Sequence, residues 1–86
     1  MSLHAAADAT EALPQPVVVL EVFTREGCPH CEEAKQFLTD LHRELPVLQI
    51  VEHDVWQDAH ALQRLRVLAE QQGVGAPGVP AFYVHS

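Results

Sequence analysis

The sequence has little cysteine, little positive charge and no long apolar run. Two cysteines in 86 residues cannot build the disulfide framework that staples small secreted scaffolds. Five Lys and Arg stand against twelve Asp and Glu, a formal net charge of −7. Clustered basic side chains are what a phosphate backbone needs, and Arg64 and Arg66 are the nearest basic pair. The composition therefore argues against a nucleic-acid partner. No apolar stretch approaches the roughly 20 residues that span a bilayer. No charged n-region followed by an h-region marks a signal peptide. Neither an internal repeat nor a low-complexity block is present.

What is present suits one small domain. Hydrophobic residues make up 48% of the chain, ample for a core, although a domain of this size is only modestly stable. Residues 1–16 read as a flexible lead-in, punctuated by Pro14 and Pro16. Val17 to Phe23 is an almost continuous apolar, β-branched run, the pattern of a buried central strand. Thr24 to Gly27 make a turn. A helix is predicted from near Cys28, with Pro29 at its first position, where the missing N–H is harmless. Ala34, Phe37, Leu38, Leu41 and Leu45 form its apolar stripe, and Pro46 stops it. Residues 47–54 predict a second strand. Residues 56–72 predict a second helix with Ala61, Leu62, Leu65, Leu68 and Ala69 on one face and Gly73 at its C-terminal cap. Ala81 to Val84 begin a third strand. The β-α-β-α-β order implies an α/β layer with at least one parallel crossover.

The two cysteines are spaced Cys28-Pro29-His30-Cys31. Two sulfurs so spaced at the start of a helix fall within one turn. The first lies at the helix N-terminus, where backbone N–H groups and the macrodipole favour a thiolate. A thiolate is the nucleophile of thiol–disulfide exchange. A bridge across two intervening residues closes too small a loop to stabilise a fold much. Chemistry explains the pair better than stapling does.

A strand, a C-x-x-C opening a helix, a second βα unit, then Val79-Pro80 leading into a strand: residues 17–85 resemble the thioredoxin superfamily. The resemblance implies a thioredoxin-like α/β fold over residues 17–86. It implies a cis peptide before Pro80 beside the dithiol, and a Val79 backbone offered to an extended substrate peptide. The family completes its sheet with a β-hairpin and a last helix after this strand. The chain stops inside the strand, so the expectation is a C-terminally incomplete domain whose apolar sheet edge invites association. The C-P-H-C dipeptide is similar to that of DsbA-type disulfide oxidases, while the size is closer to glutaredoxin or a minimal thioredoxin. Thioredoxins bury an Asp six residues before the first cysteine; Val22 stands there, leaving Glu21 and Glu26 as candidate helpers for Cys31.

The resemblance implies a protein disulfide oxidoreductase with no cofactor beyond a redox-active Cys28–Cys31 disulfide. Its partners would be protein thiols and disulfides and a redox partner protein. Cys28 is the expected exposed nucleophile and Cys31 the resolving thiol. His30 is expected to tune the thiolate, Pro29 to stiffen the turn, and Val79 and Pro80 to shape the substrate groove. Three alternatives stand beside this: a glutathione-dependent, glutaredoxin-like reductase; a zinc or iron–sulfur site drawing on His30, His53 or His60; and a non-catalytic interaction domain. His53 and His60 do not match the H-x₃₋₅-H spacing of zinc sites. Trp56 reads as a packing or partly exposed aromatic, Lys35 as a solvated helix residue, and Arg25 and Glu26 as colouring the potential before the motif. The alanine-rich lead-in and the DsbA-like dipeptide lean towards the periplasm; two cysteines fit the cytosol equally well.

Overall fold

The computed structural model describes residues 17–85; the expected lead-in over residues 1–16 lies outside the described residues. The elements are β1 (Val19–Thr24), α1 (Pro29–Glu44), β2 (Gln49–Asp54), α2 (Ala59–Gln71) and β3 (Ala81–His85). This is the β-α-β-α-β order that the sequence predicts. The three strands form one sheet in the order β2-β1-β3, with β2 parallel and β3 antiparallel to β1. The near-continuous apolar run thus becomes the central strand, with five of its six residues buried.

The two faces of β1 serve different helices. Leu20 and Val22 pack with Leu38 of α1, joined by Leu41, Leu48 and Ile50. Phe23 packs on the other side with Val55 and with Ala61, Leu65 and Leu68 of α2. Phe23 is fully buried, stacked on His53 with ring centroids 4.7 Å apart and edge-on to Tyr83 at 6.0 Å. Burying such a ring is worth roughly 1.5–3 kcal/mol.

Boundaries differ from the sequence expectation where side chains intercept the backbone. The second helix begins at Ala59, not near residue 56. The Asp54 carboxylate accepts the N–H groups of Trp56 and Gln57 at 2.8 and 3.0 Å, which turns residues 55–58 before Asp58 caps the helix. Its far end follows the prediction: Gly73 has φ +77°. The Gly73 N–H bonds to Glu70 and the Val74 N–H to Ala69, the paired bonds of a Schellman cap.

The apolar stripe of α1 is narrower than predicted. Ala34 and Leu38 are buried, but Phe37 is 60% exposed. One helical residue turns the side chain by about 100°, so an arc centred on Ala34, Leu38 and Leu41 leaves Phe37 at its flank. Phe82 and Val84 are also exposed. They stand opposite Val22 and Leu20, on the sheet face that α1 covers over β1.

Candidate active site

Cys28 is the N-cap of α1 and has extended backbone geometry. The first helical N–H is absent because Pro29 occupies that position. The next two, on His30 and Cys31, are oriented toward the Cys28 sulfur; the Cys31 N–H donates to Sγ at 3.2 Å. A helix start leaves such donors without intrahelical partners, so a thiolate there satisfies groups that would otherwise need water. The Cys28 carbonyl meanwhile accepts the Glu32 N–H at 3.1 Å and begins the helical ladder. C-P-x-C is thus a local solution to two problems, a capped helix and a sulfur set against amide donors.

The two cysteines are not equivalent. Both are free thiols. Cys28 is held below the usual thiol range, first by the Cys31 thiol that hydrogen-bonds to it, with burial opposing. The Cys31 amide, the positive charge of Arg25 and the His30 amide add to the lowering. Cys31 is pushed the other way, first by burial and then by donating its own proton to the Cys28 sulfur. One sulfur is prepared to be a thiolate while its neighbour keeps its proton.

Three expectations change here. The nucleophile was expected to be exposed, yet Cys28 is only 3% accessible, because its sulfur is turned inward onto the amides of the first turn. The His30 imidazole does not engage the sulfur: Nδ1 lies 3.1 Å from Glu33 Oε1 on the solvent side, and His30 reaches Cys28 through its amide. Neither candidate carboxylate serves Cys31. Glu26 accepts the Gln57 side-chain amide at 2.8 Å, and Glu21 belongs to a separate network on the α2 face.

That network escaped the sequence reading. Glu21 is 7% exposed in the middle of β1. Arg64 of α2 grips both of its oxygens, at 3.0 and 2.7 Å. His53 of β2 reaches it at 3.0 Å. His85 Nε2 of β3 lies 2.6 Å away but out of line for a directed hydrogen bond. Arg64 above all, then the two imidazoles, hold the Glu21 carboxyl down at about 2 against the opposing effect of burial. The only warning in the sequence was one carboxylate inside Val-Val-Val-Leu-Glu-Val-Phe. His53, one candidate ligand of the metal reading, is spent here. Among the described residues no three His, Cys, Asp or Glu side chains are grouped to hold a metal ion.

The Val79–Pro80 peptide is cis, as the resemblance implies. Val79 packs against the Phe23 cluster. Ala81, the next residue after Pro80, pairs with Phe23. This brings the Val79–Pro80 segment to the same end of the sheet as the loop that leads from β1 into Cys28. Pro29 is exposed at the start of α1. A model of the glutaredoxin family matches residues 20–86. The chain belongs to the glutaredoxin family. No curated protein and no solved structure matches it. As a glutaredoxin-family domain it falls within the thioredoxin-like superfamily, and membership implies thiol–disulfide oxidoreductase-like function. No helix of this glutaredoxin-family chain is long and apolar enough, among the described residues, to cross a membrane.

Proposed function

We propose that this domain exchanges disulfides with protein partners through Cys28 and Cys31. The observation that carries the reading is the division of labour at the helix start: the Cys28 sulfur accepts from the Cys31 amide at 3.2 Å, and the two thiols are shifted in opposite directions. In the reducing direction, the Cys28 thiolate attacks one sulfur of a substrate disulfide. A mixed disulfide forms, and the other substrate sulfur leaves as a thiolate that takes up a proton. Cys31 then loses its proton and attacks the Cys28 sulfur, releasing the second substrate thiol. Two electrons pass from the dithiol to the substrate, and the domain is left with a Cys28–Cys31 disulfide. A partner dithiol restores it. In the oxidising direction the same steps run backwards. The Val79 backbone and the Val79–Pro80 segment, at the same sheet end as the motif, bound the groove where an extended peptide lies.

Trapping tests this. A Cys31→Ser variant mixed with a disulfide-bearing protein such as insulin is expected to accumulate a covalent adduct at Cys28, found by non-reducing electrophoresis and peptide mass spectrometry. The reading is lost if the wild-type domain neither reduces the substrate nor forms such an adduct. The potential of the pair, obtained by equilibration with glutathione, then assigns the working direction.

The family match favours a second reading, in which the substrate is a glutathione mixed disulfide. Comparing turnover of a glutathionylated peptide with turnover of a protein disulfide separates the two. The net charge of −7 disfavours anionic glutathione through the long-range field, which is the reason the protein-partner reading comes first.

A further inference from the structure

Trp56 and Gln57 lie in the loop between β2 and α2, far from the motif in sequence, and Trp56 is 69% exposed. Neither has a part in the exchange steps. Yet this loop is tied at three successive positions to the segment that leads into Cys28. The Val55 N–H donates to the Thr24 carbonyl at 2.9 Å. The Arg25 guanidinium lies over the Trp56 ring, 4.7 Å from its centre. The Gln57 side-chain amide donates to the Glu26 carboxylate at 2.8 Å. The turn that presents Trp56 and Gln57 is itself fixed by the Asp54 carboxylate. Arg25 also donates from Nη1 to the Glu26 carbonyl at 3.2 Å, so its charge is held between the ring and its own loop.

We propose that Trp56 and Gln57 act as positioning residues, a clamp that fixes the Arg25 charge beside the dithiol and so sets how readily Cys28 attacks. The proposal rests on the thiol-exchange reading above. An untethered arginine on an exposed loop samples many rotamers, and its average influence on a nearby thiolate is weak and screened. Stacking on an aromatic face removes that freedom, and an indole is the best such face. The Arg25 charge acts on both sulfurs and favours the ionised form of each. A fixed guanidinium thus favours the attacking thiolate and also eases deprotonation of Cys31 when the mixed disulfide is resolved.

The test is the pH dependence of iodoacetamide alkylation of Cys28 in the full reduced chain, followed by mass spectrometry, with thermal melts in parallel. Trp56→Ala is expected to move the profile to higher pH and slow alkylation about two- to fivefold at mildly acidic pH, the factor that an exposed cation–π contact supports. The melting temperature stays unchanged, since the ring is mostly in solvent. Trp56→Phe retains the wild-type profile, because it keeps an aromatic face. Arg25→Gln slows alkylation at least as much, and adding Trp56→Ala to it changes nothing more. Gln57→Ala moves the profile in the same direction by less. An unaltered profile in Trp56→Ala overturns the clamp, as does a double variant whose slowing is the product of the two single effects. If the wild-type chain shows no preference for Cys28, the exchange reading itself fails and takes the clamp with it.

Discussion

Glu21 and Cys28 are seven residues apart, both are nearly inaccessible, and both are more acidic than their free counterparts. They reach that state by different routes. Glu21 draws on side chains from β2, α2 and β3, the farthest of them, His85, 64 residues along the chain. Cys28 draws chiefly on the next cysteine and on the first turn of its own helix. The carboxylate is boxed in by partners that exist only when every element is assembled, so its charge stabilises the fold. The Cys28 sulfur leans first on the Cys31 thiol and then on amides of its own helix start, all within three residues of it. The carboxylate depends on the whole assembled fold, whereas the lowering of Cys28 depends chiefly on one helix turn.

The largest expected break between the two is Cys28→Ser. The hydroxyl is a better N-cap than a thiol, so the melting temperature should hold or rise slightly while disulfide exchange disappears; loss of folding instead would mean the sulfur is part of the scaffold. Glu21→Gln should do the reverse. Losing charge-assisted hydrogen bonds costs about 1.5–3 kcal/mol each when isolated, and because Arg64 is half exposed and can rehydrate, a total of about 2–3 kcal/mol is expected in denaturant titration. Cys28 alkylation kinetics should be unchanged.

Acid sharpens the same contrast. With the Glu21 carboxyl at about 2 in the folded chain against an ordinary 4.5, the unfolded chain binds the extra proton first. The stabilisation is complete above pH 4.5 and is lost as the pH falls through about 2, on the order of 3 kcal/mol in total. Unfolding titrations between pH 6 and 2 should show this decline in the wild type and a flatter one in Glu21→Gln; parallel curves would show that the ion pair does not govern acid stability. Gly73→Ala should cost about 1 kcal/mol, since alanine is strained at φ +77°, with no effect on either acidic group. The smallest effect belongs to His30→Ala. Its ring faces Glu33 and its amide persists in the variant, so Cys28 alkylation should stay within about twofold of wild type; a larger change would return the imidazole to the centre of the site.

What the sequence disclosed and what it hid divide along the same line. The element order, the C-terminal cap at Gly73 and the place of Cys28 at a helix start were legible because each follows from a few neighbouring residues. The second helix starts later than its apolar pattern predicts, because the Asp54 carboxylate takes the amides of Trp56 and Gln57 and Asp58 then caps the helix. The Glu21 network and the pairing of Arg25 with Trp56 join residues 31 to 64 positions apart, and only the crossover from β1 to β2 and on to α2 and β3 brings them together. The inward turn of the Cys28 sulfur went unread too, since spacing tells that two sulfurs share a turn but not which way either points.

The chain holds a single tryptophan, and its indole lies against the guanidinium that neighbours the dithiol. All tryptophan emission from the native protein therefore comes from an indole held against the Arg25 guanidinium. If the dithiol exchanges disulfides as proposed, oxidation removes the thiolate charge near Arg25, and the emission of the reduced and oxidised chain is expected to differ. A fluorescence titration in glutathione buffers reads this without a dye, a tag or a substituted residue, and identical emission from the two forms would disconnect the ring from the dithiol.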